Sequence, residues 1–221
     1  IIKYVLIGIQ ESNYPITLSK QKEIISNYLN LVKKNKNFSS DKISSKDFIG
    51  PSSLTLQKIN CIELNDIYNV PNIRKDYTVT DKADGLRKLL FINSDGLIYL
   101  ITSSMNIQFT GYKNLNSELN KSIIDGEHIL HDKNMNYINL FMAFDIYYLN
   151  SNNVSSLPLI NNTDQKTNCR LLLLTNFVKN IKIESINNKK NIDFKIDVKT
   201  FYYNDNIFKA CSNVLKNIEK S

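Results

Sequence analysis

Long hydrophobic stretches are the first thing this 221-residue chain lacks. No apolar run approaches the ~18 residues that a membrane-crossing helix needs, which excludes a helical span. The apolar start, IIKYVLIGI at 1–9, is short, carries Lys3 and has no small-residue cleavage site after it. It reads as a strand rather than a signal peptide. The chain opens on Ile rather than Met, so it reads as a piece of something longer. Cysteine is scarce: Cys61, Cys169 and Cys211 lie far apart with no C-x-x-C pair. Such a set excludes a disulfide framework and a Cys-rich zinc site, and it points to a reducing, cytosol-like compartment. Histidine is scarcer still. His128 and His131 are the only two. Three apart on a strand, they point to opposite faces and do not share a metal. No internal repeat appears.

What is present is enough for a core. Hydrophobic residues make up 42% of the chain, which excludes a disordered tail and suits one large domain or two small ones. Lys+Arg is 28 against 21 Asp+Glu, a net charge of +7. That balance suits a polyanionic partner such as RNA or a nucleoside triphosphate. The lysines are spread along the chain, so most read as solvated surface.

Residues 17–34 place Ile24, Ile25, Tyr28, Leu29 and Val32 at helical spacing, with Ser19 as N-cap. The Ser-, Lys- and Asp-rich segment 37–47 reads as a loop and the best linker. The Lys-rich stretch 33–46 is either a track for RNA phosphates or a solvated loop. From Asp47 the texture is β-rich: TVTDKA, LRKLLFI, LIYLIT and NIQFTG, broken by Asp-Gly pairs at 84–85 and 95–96. NSDGLIYL is a hairpin signal. SIIDGEHIL and YINLFMAFDIYYL read as further strands, CRLLLLTNFVKNI as a helix, IDFKIDVKTFYY as a strand, and the last eighteen residues as an amphipathic helix. Along 140–147, alternation sets Leu140, Met142, Phe144 and Ile146 on one face and Phe141, Ala143, Asp145 and Tyr147 on the other. The expected class is α+β, an antiparallel-sheet domain with flanking helices. Residues 1–46 are the expected N-terminal strand, helix and linker, and 47–221 the core.

One hexamer carries chemistry on its face: KADGLR, 82–87. Taken alone it is either a turn flanked by surface charges or a displayed nucleophile. A lysine amine attacks only when neutral, and its ordinary pKa of about 10.4 is lowered by nearby cations and partial desolvation. Arg87, and a metal ion arriving with a nucleotide, supply positive neighbours for Lys82. Asp84 can orient the amine or a metal-bound water. Gly85 lets the chain turn tightly and a phosphate approach the backbone. Arg87 offers a fork for ribose or phosphate oxygens.

K-x-D-G-x-R does not stand alone. Glu127 follows Lys82 by 45 residues inside IIDGEHI (123–129), and LFMAFDIYYL (140–149) follows that. In this order the three resemble the motifs of the covalent nucleotidyltransferases: RNA guanylyltransferases of mRNA capping, and ATP-dependent DNA and RNA ligases. FIGPSSLTLQKIN (48–60) is similar to the lead-in segment of guanylyltransferases, and SSLPLI, Arg170 and KTFYY sit where the capping enzymes of large DNA viruses have similar pieces. The resemblance covers most of the chain from Asp47 and, more weakly, residues 13–16.

This resemblance implies a nucleotidyltransferase fold and a defined set of roles. Lys82 attacks the α-phosphorus of GTP, expels pyrophosphate and holds GMP as a lysyl-N-GMP, which passes to the diphosphate 5′ end of RNA. Arg87 and Glu127 bind ribose, Phe144 stacks on guanine, and Asp84 and Gly85 belong to the nucleotide site. Asp145 is either a ligand or a structural acceptor. Mg²⁺ or Mn²⁺ accompanies GTP and neutralises phosphate charge. Triphosphatase and methyltransferase domains, in the same polypeptide or a partner subunit, are the implied partners. The implied location is the host cytoplasm or the virion, with no membrane partner. Two departures stand out. The strand after the KADGLR motif ends in Thr102-Ser103 where the family has an Asp-Arg or Asn-Arg pair. The chain also ends before the family's later motifs and its OB-fold lid, so the expectation is a truncated core that lacks the lid. A polynucleotide ligase and a catalytically silent RNA- or protein-binding module are the rival readings.

Overall fold

A computed structural model describes residues 1–33, 43–63, 70–160, 168–186, 194–203 and 206–218. The chain divides into two compact units, one of residues 1–50 with 84–198 and one of 51–83 with 199–221.

The larger unit is built on a sheet. Strands β1 (Leu86–Ile92), β2 (Leu97–Thr102), β3 (Ile107–Asn114), β4 (Ser122–His131), β5 (Tyr137–Leu149), β6 (Asn152–Asn153) and β7 (Ile183–Ser185) run in the spatial order β6-β5-β4-β1-β2-β3-β7. All these neighbours are antiparallel. β8 (Lys195–Val198) lies parallel on β5, so the sheet is mixed. The β1–β2 hairpin closes as its sequence demands. Gly96 takes φ 82°, and Asp95 accepts the Leu97 amide at 3.0 Å.

Helices cover both faces. α2 (Leu18–Val32) sets Ile24, Tyr28 and Leu29 on Leu89, Phe91, Tyr99 and Ile101. α3 (Arg170–Asn180) sets Leu174 and Phe177 on the other face, with Leu90, Ile92, Ile98 and Leu100. β1 is therefore apolar at successive positions because both of its faces are buried. Each such side chain contributes about 1.5–3 kcal/mol. Tyr28 also ties down the next segment: its hydroxyl donates to the Asp47 carbonyl at 2.9 Å and accepts the Ile49 amide at 3.1 Å.

In the smaller unit, two chain segments meet at the antiparallel bridge Val79–Tyr202, with amide-to-carbonyl distances of 2.9 and 2.7 Å. Thr80 Oγ1 donates to the Thr200 carbonyl at 2.8 Å. Arg74 lies over the Phe208 ring of α4 (Ile207–Ile218), 5.0 Å from its centroid.

Several expectations change here. The apolar start is a helix, α1 (Ile2–Gln10), not a strand. A short run that is apolar on every side has no period to separate the two, and a helix satisfies its backbone groups within the segment. The N-cap of α2 is Thr17, whose hydroxyl accepts the Lys20 amide at 3.2 Å, rather than Ser19. TVTDKA contributes one bridge instead of a strand, and IDFKIDVKTFYY is strand only over Lys195–Val198. Much of the expected linker, 37–42, lies outside the described residues. Its end is a capped turn in which Asp47 accepts the Ser44 amide at 3.0 Å and pairs with Lys33.

Asp145 has a structural partner. Arg170 Nε and Nη2 donate to its two oxygens at 2.7 and 3.0 Å, and Arg170 Nη1 donates to the Ser155 carbonyl at 3.2 Å and to that of Leu157. The pair fastens the start of α3 to β5. Arg170→Ala is expected to lower unfolding free energy by ~3–5 kcal/mol in urea titrations, because a mostly buried carboxylate loses its counter-charge. Arg170→Lys restores only part, since one ammonium cannot fork across both oxygens.

A second buried pair predicts a pH response. Lys88 Nζ, on a side chain only 4% exposed, lies 2.6 Å from Gln108 Oε1 and 3.0 Å from His128 Nδ1. Burial, with Lys88 beside it, pushes His128 down from 6.5 to about 4. As pH falls through 6.5, the unfolded chain therefore binds a proton that the folded chain refuses. Stability falls across pH 6.5 to 4, by about 2–3 kcal/mol at pH 4.5. His128→Gln is expected to remove that part of the slope when urea midpoints at pH 7.5 and 4.5 are compared.

Candidate active site

β1 begins immediately after Asp84-Gly85, and its register on β4 fixes the neighbourhood. Arg87 stands directly opposite Glu127, and Leu86 opposite His128. Gly85 has a steric reason to be glycine. A Cβ there would lie 2.9 Å from Ile129 Cγ1 and 3.0 Å from the His128 carbonyl. Its φ is not in the left-handed region, so close approach to β4, not a tight turn, is what the position requires.

Arg87 is held at both ends of its fork. Nε donates to Asp125 Oδ1 at 3.1 Å and Nη2 to Asp125 Oδ2 at 2.6 Å. The Tyr147 hydroxyl donates to Asp125 Oδ2 at 2.7 Å. Asp125 is fully buried. Burial pushes its carboxyl up, while Arg87 and Tyr147 pull it down. The same ion pair holds the Arg87 guanidinium above its ordinary value. Gly50 caps the cluster at φ 130°; a Cβ there would lie 2.6 Å from Arg87 Nη2 and 2.9 Å from Asp125 Oδ2. The Phe48 and Phe144 rings flank the guanidinium, with centroids 5.5 and 5.8 Å from its carbon.

Phe144 lies at a bulge in β5. Asp145 pairs with Asp125 and Ala143 with Gly126, which leaves Phe144 as an extra residue on β5. A second bulge leaves Tyr147 extra between Ile146 and Tyr148. The simple alternation expected over 140–147 holds for Phe141 and Ala143 and fails beyond the first bulge. Ile146 joins Phe141 and Ala143 on the α3 side, while Tyr147 and Tyr148 join the α2 side. Each bulge shifts the phase of the strand by one residue.

Glu127 supplies the one buried side-chain oxygen or nitrogen among the described residues that lacks a hydrogen-bond partner, its Oε2. Leaving such an acceptor dry costs about 1–3 kcal/mol, which a ligand hydroxyl would relieve. No three His, Cys, Asp or Glu side chains converge as a metal cage among the described residues. Thr102, at the position of the family's Asp-Arg or Asn-Arg pair, accepts the Asn106 amide through its hydroxyl at 3.1 Å and closes the turn into β3.

The larger unit thus brings Arg87, Glu127 and Phe144 together, with Gly85 packed on β4 and Asp84 exposed at its edge. Lys82 belongs to the smaller unit, where it is exposed. A family profile described as mRNA capping enzyme, catalytic domain, matches residues 16–220. The chain belongs to the mRNA capping enzyme family. It is 28% identical to a probable mRNA-capping enzyme of Acanthamoeba polyphaga mimivirus, over 80% of this chain and 14% of that protein. The chain therefore spans about a seventh of the length of this capping-enzyme relative.

Within this capping-enzyme domain, sequence reasoning missed the partners of Arg87. Asp125 stands in IIDGEHI, and Phe48 and Gly50 in the lead-in segment, none of them with a role assigned from sequence. The signal for Asp125 was available, since an acid in an otherwise apolar strand has to find a counter-charge. Tyr147 left no such signal, because a bulge sets its direction.

Proposed function

We propose that this domain is an mRNA guanylyltransferase. The Lys82 amine, once neutral, attacks the α-phosphorus of GTP; the N–P bond forms as the bond to the bridging oxygen breaks and pyrophosphate leaves. A terminal oxygen of an RNA 5′ diphosphate then attacks the same phosphorus, and the N–P bond breaks to return the lysine. Arg87 and Glu127 hold the ribose, with Glu127 Oε2 accepting a sugar hydroxyl. Phe144 offers its ring to guanine, and Asp84 and Gly85 border the phosphates. Mg²⁺ or Mn²⁺, carried in on the GTP phosphates, supplies charge neutralisation. The domain then acts in a viral setting, in host cytoplasm or virion.

One observation carries the reading: Arg87 and Glu127 face each other across β1 and β4, and Glu127 presents a buried acceptor with no hydrogen-bond partner among the described residues. An unfilled carboxylate oxygen beside a guanidinium held in place is what a ribose hydroxyl, able to donate, would satisfy. The test is incubation of the protein carrying this chain with α-labelled GTP or ATP and Mg²⁺, followed by denaturation. Label retained from GTP is the expected result. Label from ATP alone would mean a polynucleotide ligase, and no label from either would mean a silent binding module.

A further inference from the structure

Away from Arg87 and Glu127, the sheet carries a cavity on its other face. Side chains alternate along β4, so His128 points away from Glu127, and it lines a cavity of about 290 Å³. Five Tyr and Phe rings line it too: Tyr14, Phe109, Tyr112, Tyr137 and Phe194. Four of them brace one another. Tyr14 meets Phe109 edge to face with centroids 6.1 Å apart, and Tyr112 lies 5.9 Å from Phe194. The Tyr14 ring also lies on the bare backbone of Gly111, where a Cβ would meet it at 2.2 Å. The volume sits at the lower end of small-molecule sites, enough for a ring with one short substituent.

The charge in this lining is negative. Glu11 contributes its one ionised side chain, because burial pushes His128 down to about 4 and leaves the imidazole neutral. Glu11 Oε2 accepts the Gln108 amide at 3.3 Å, while Oε1 makes no hydrogen bond or ion pair among the described residues. Glu11 is exposed, so this oxygen stands at the mouth and the rings stand behind it. Lys88 is not in the lining. Its Nζ is turned onto Gln108 Oε1 at 2.6 Å and His128 Nδ1 at 3.0 Å, and it forms no ion pair with Glu11. An open carboxylate oxygen beside aromatic rings, whose π-faces are negative, favours a cation with an apolar body. Like charge at the mouth disfavours a carboxylate or phosphate, and a neutral head would leave Oε1 to water.

We propose that this cavity binds a small organic ammonium ion with an aromatic body, its ring among the tyrosines and its ammonium group donating to Glu11 Oε1. The site lies on the opposite face from Arg87 and Glu127, and it stands or falls independently of the guanylyltransferase reading.

The probes are benzylammonium, benzyl alcohol and benzoate: one ring with a cationic, a neutral and an anionic head. Each is titrated into the protein carrying this chain while the Gln108 side-chain amide, which touches Glu11, and the Tyr14 ring signals are followed by NMR. Benzylammonium is expected to shift both saturably. Benzyl alcohol should bind about five- to tenfold more weakly, the scale of a partly exposed charge pair with a cation–π contribution. Benzoate should bind more weakly still. Glu11→Gln keeps the side-chain length and, as an exposed substitution, the fold. It should lower benzylammonium affinity to that of benzyl alcohol and leave benzyl alcohol unchanged, a split that a folding defect would not produce. Tyr14→Leu, which removes a ring, should weaken both. Equal affinity for the three heads, no saturable shift with benzylammonium, or unchanged benzylammonium binding in a folded Glu11→Gln chain would overturn the proposal.

Discussion

A Lys82→Ala chain is expected to retain no covalent GMP after incubation with α-labelled GTP and denaturation, while folding as well as its parent. The amine is the bond-forming atom in the proposed first step, so its removal leaves nothing for residual activity to work through. Lys82 is exposed, and exposed substitutions away from special features stay within about 0.5 kcal/mol. The loss would therefore be chemical rather than structural. Lys82→Arg should fail as completely, because a guanidinium stays protonated at any pH the protein survives. The bond itself is diagnostic. A lysine phosphoramidate is cleaved by acid and resists alkali, whereas an acyl phosphate on Asp or Glu is opened by hydroxylamine. Lys88 is the neighbouring amine that has to be separated from Lys82, and at 4% exposure it is poorly placed to meet a triphosphate. Full labelling of Lys82→Ala, or a labelled peptide that omits residue 82, would remove the proposed nucleophile.

The strands that frame the site were legible because their sequences agree with their surroundings at every level. LRKLLFI and LIYLIT begin and end where their apolar runs do, and the Asp95-Gly96 hairpin between them fixes their register. YINLFMAFDIYYL likewise has the bounds it was expected to have. Its faces were legible only up to the first bulge. Period-two reasoning assumes one residue per step on both partners, and the bulges at Phe144 and Tyr147 break that assumption twice within four residues. Pattern also fails where a run has no polar face, as in α1, or where chain direction is decided by distant pairing, as in the single Val79–Tyr202 bridge. The motifs named Arg87, Glu127 and Phe144 through resemblance. The clamp that orients Arg87 comes from Asp125 two registers along β4, Tyr147 at a bulge and Phe48 and Gly50 from before β1, and no local window of sequence contains all four.

Asp125→Ala tests that clamp, and its effect should be large in two separate measurements. Asp125 is fully buried and accepts two bonds from Arg87 and one from Tyr147. Removing it leaves a half-buried guanidinium facing a void and a phenol without its acceptor. Breaking one side of a buried ion pair costs about 3–5 kcal/mol, so the urea midpoint should fall sharply. Asp125→Asn separates positioning from stability. It fills the same space and still accepts from one donor, but it cannot take both arms of the fork as a charged partner. At a temperature where circular dichroism shows this variant fully folded, the GTP concentration for half-maximal labelling should rise several-fold, because Arg87 no longer meets the ribose preset. A merely structural Asp125 would leave that concentration unchanged once the variant is folded. Tyr147→Phe removes one hydrogen bond to a charged group, worth about 1.5–3 kcal/mol, and should show the same direction with a smaller shift. Combining Asp125→Asn with Tyr147→Phe should cost less than the sum of the two, since both act on one carboxylate. Strict additivity would mean that Tyr147 steadies β5 rather than Arg87, and the clamp would then reduce to the ion pair alone.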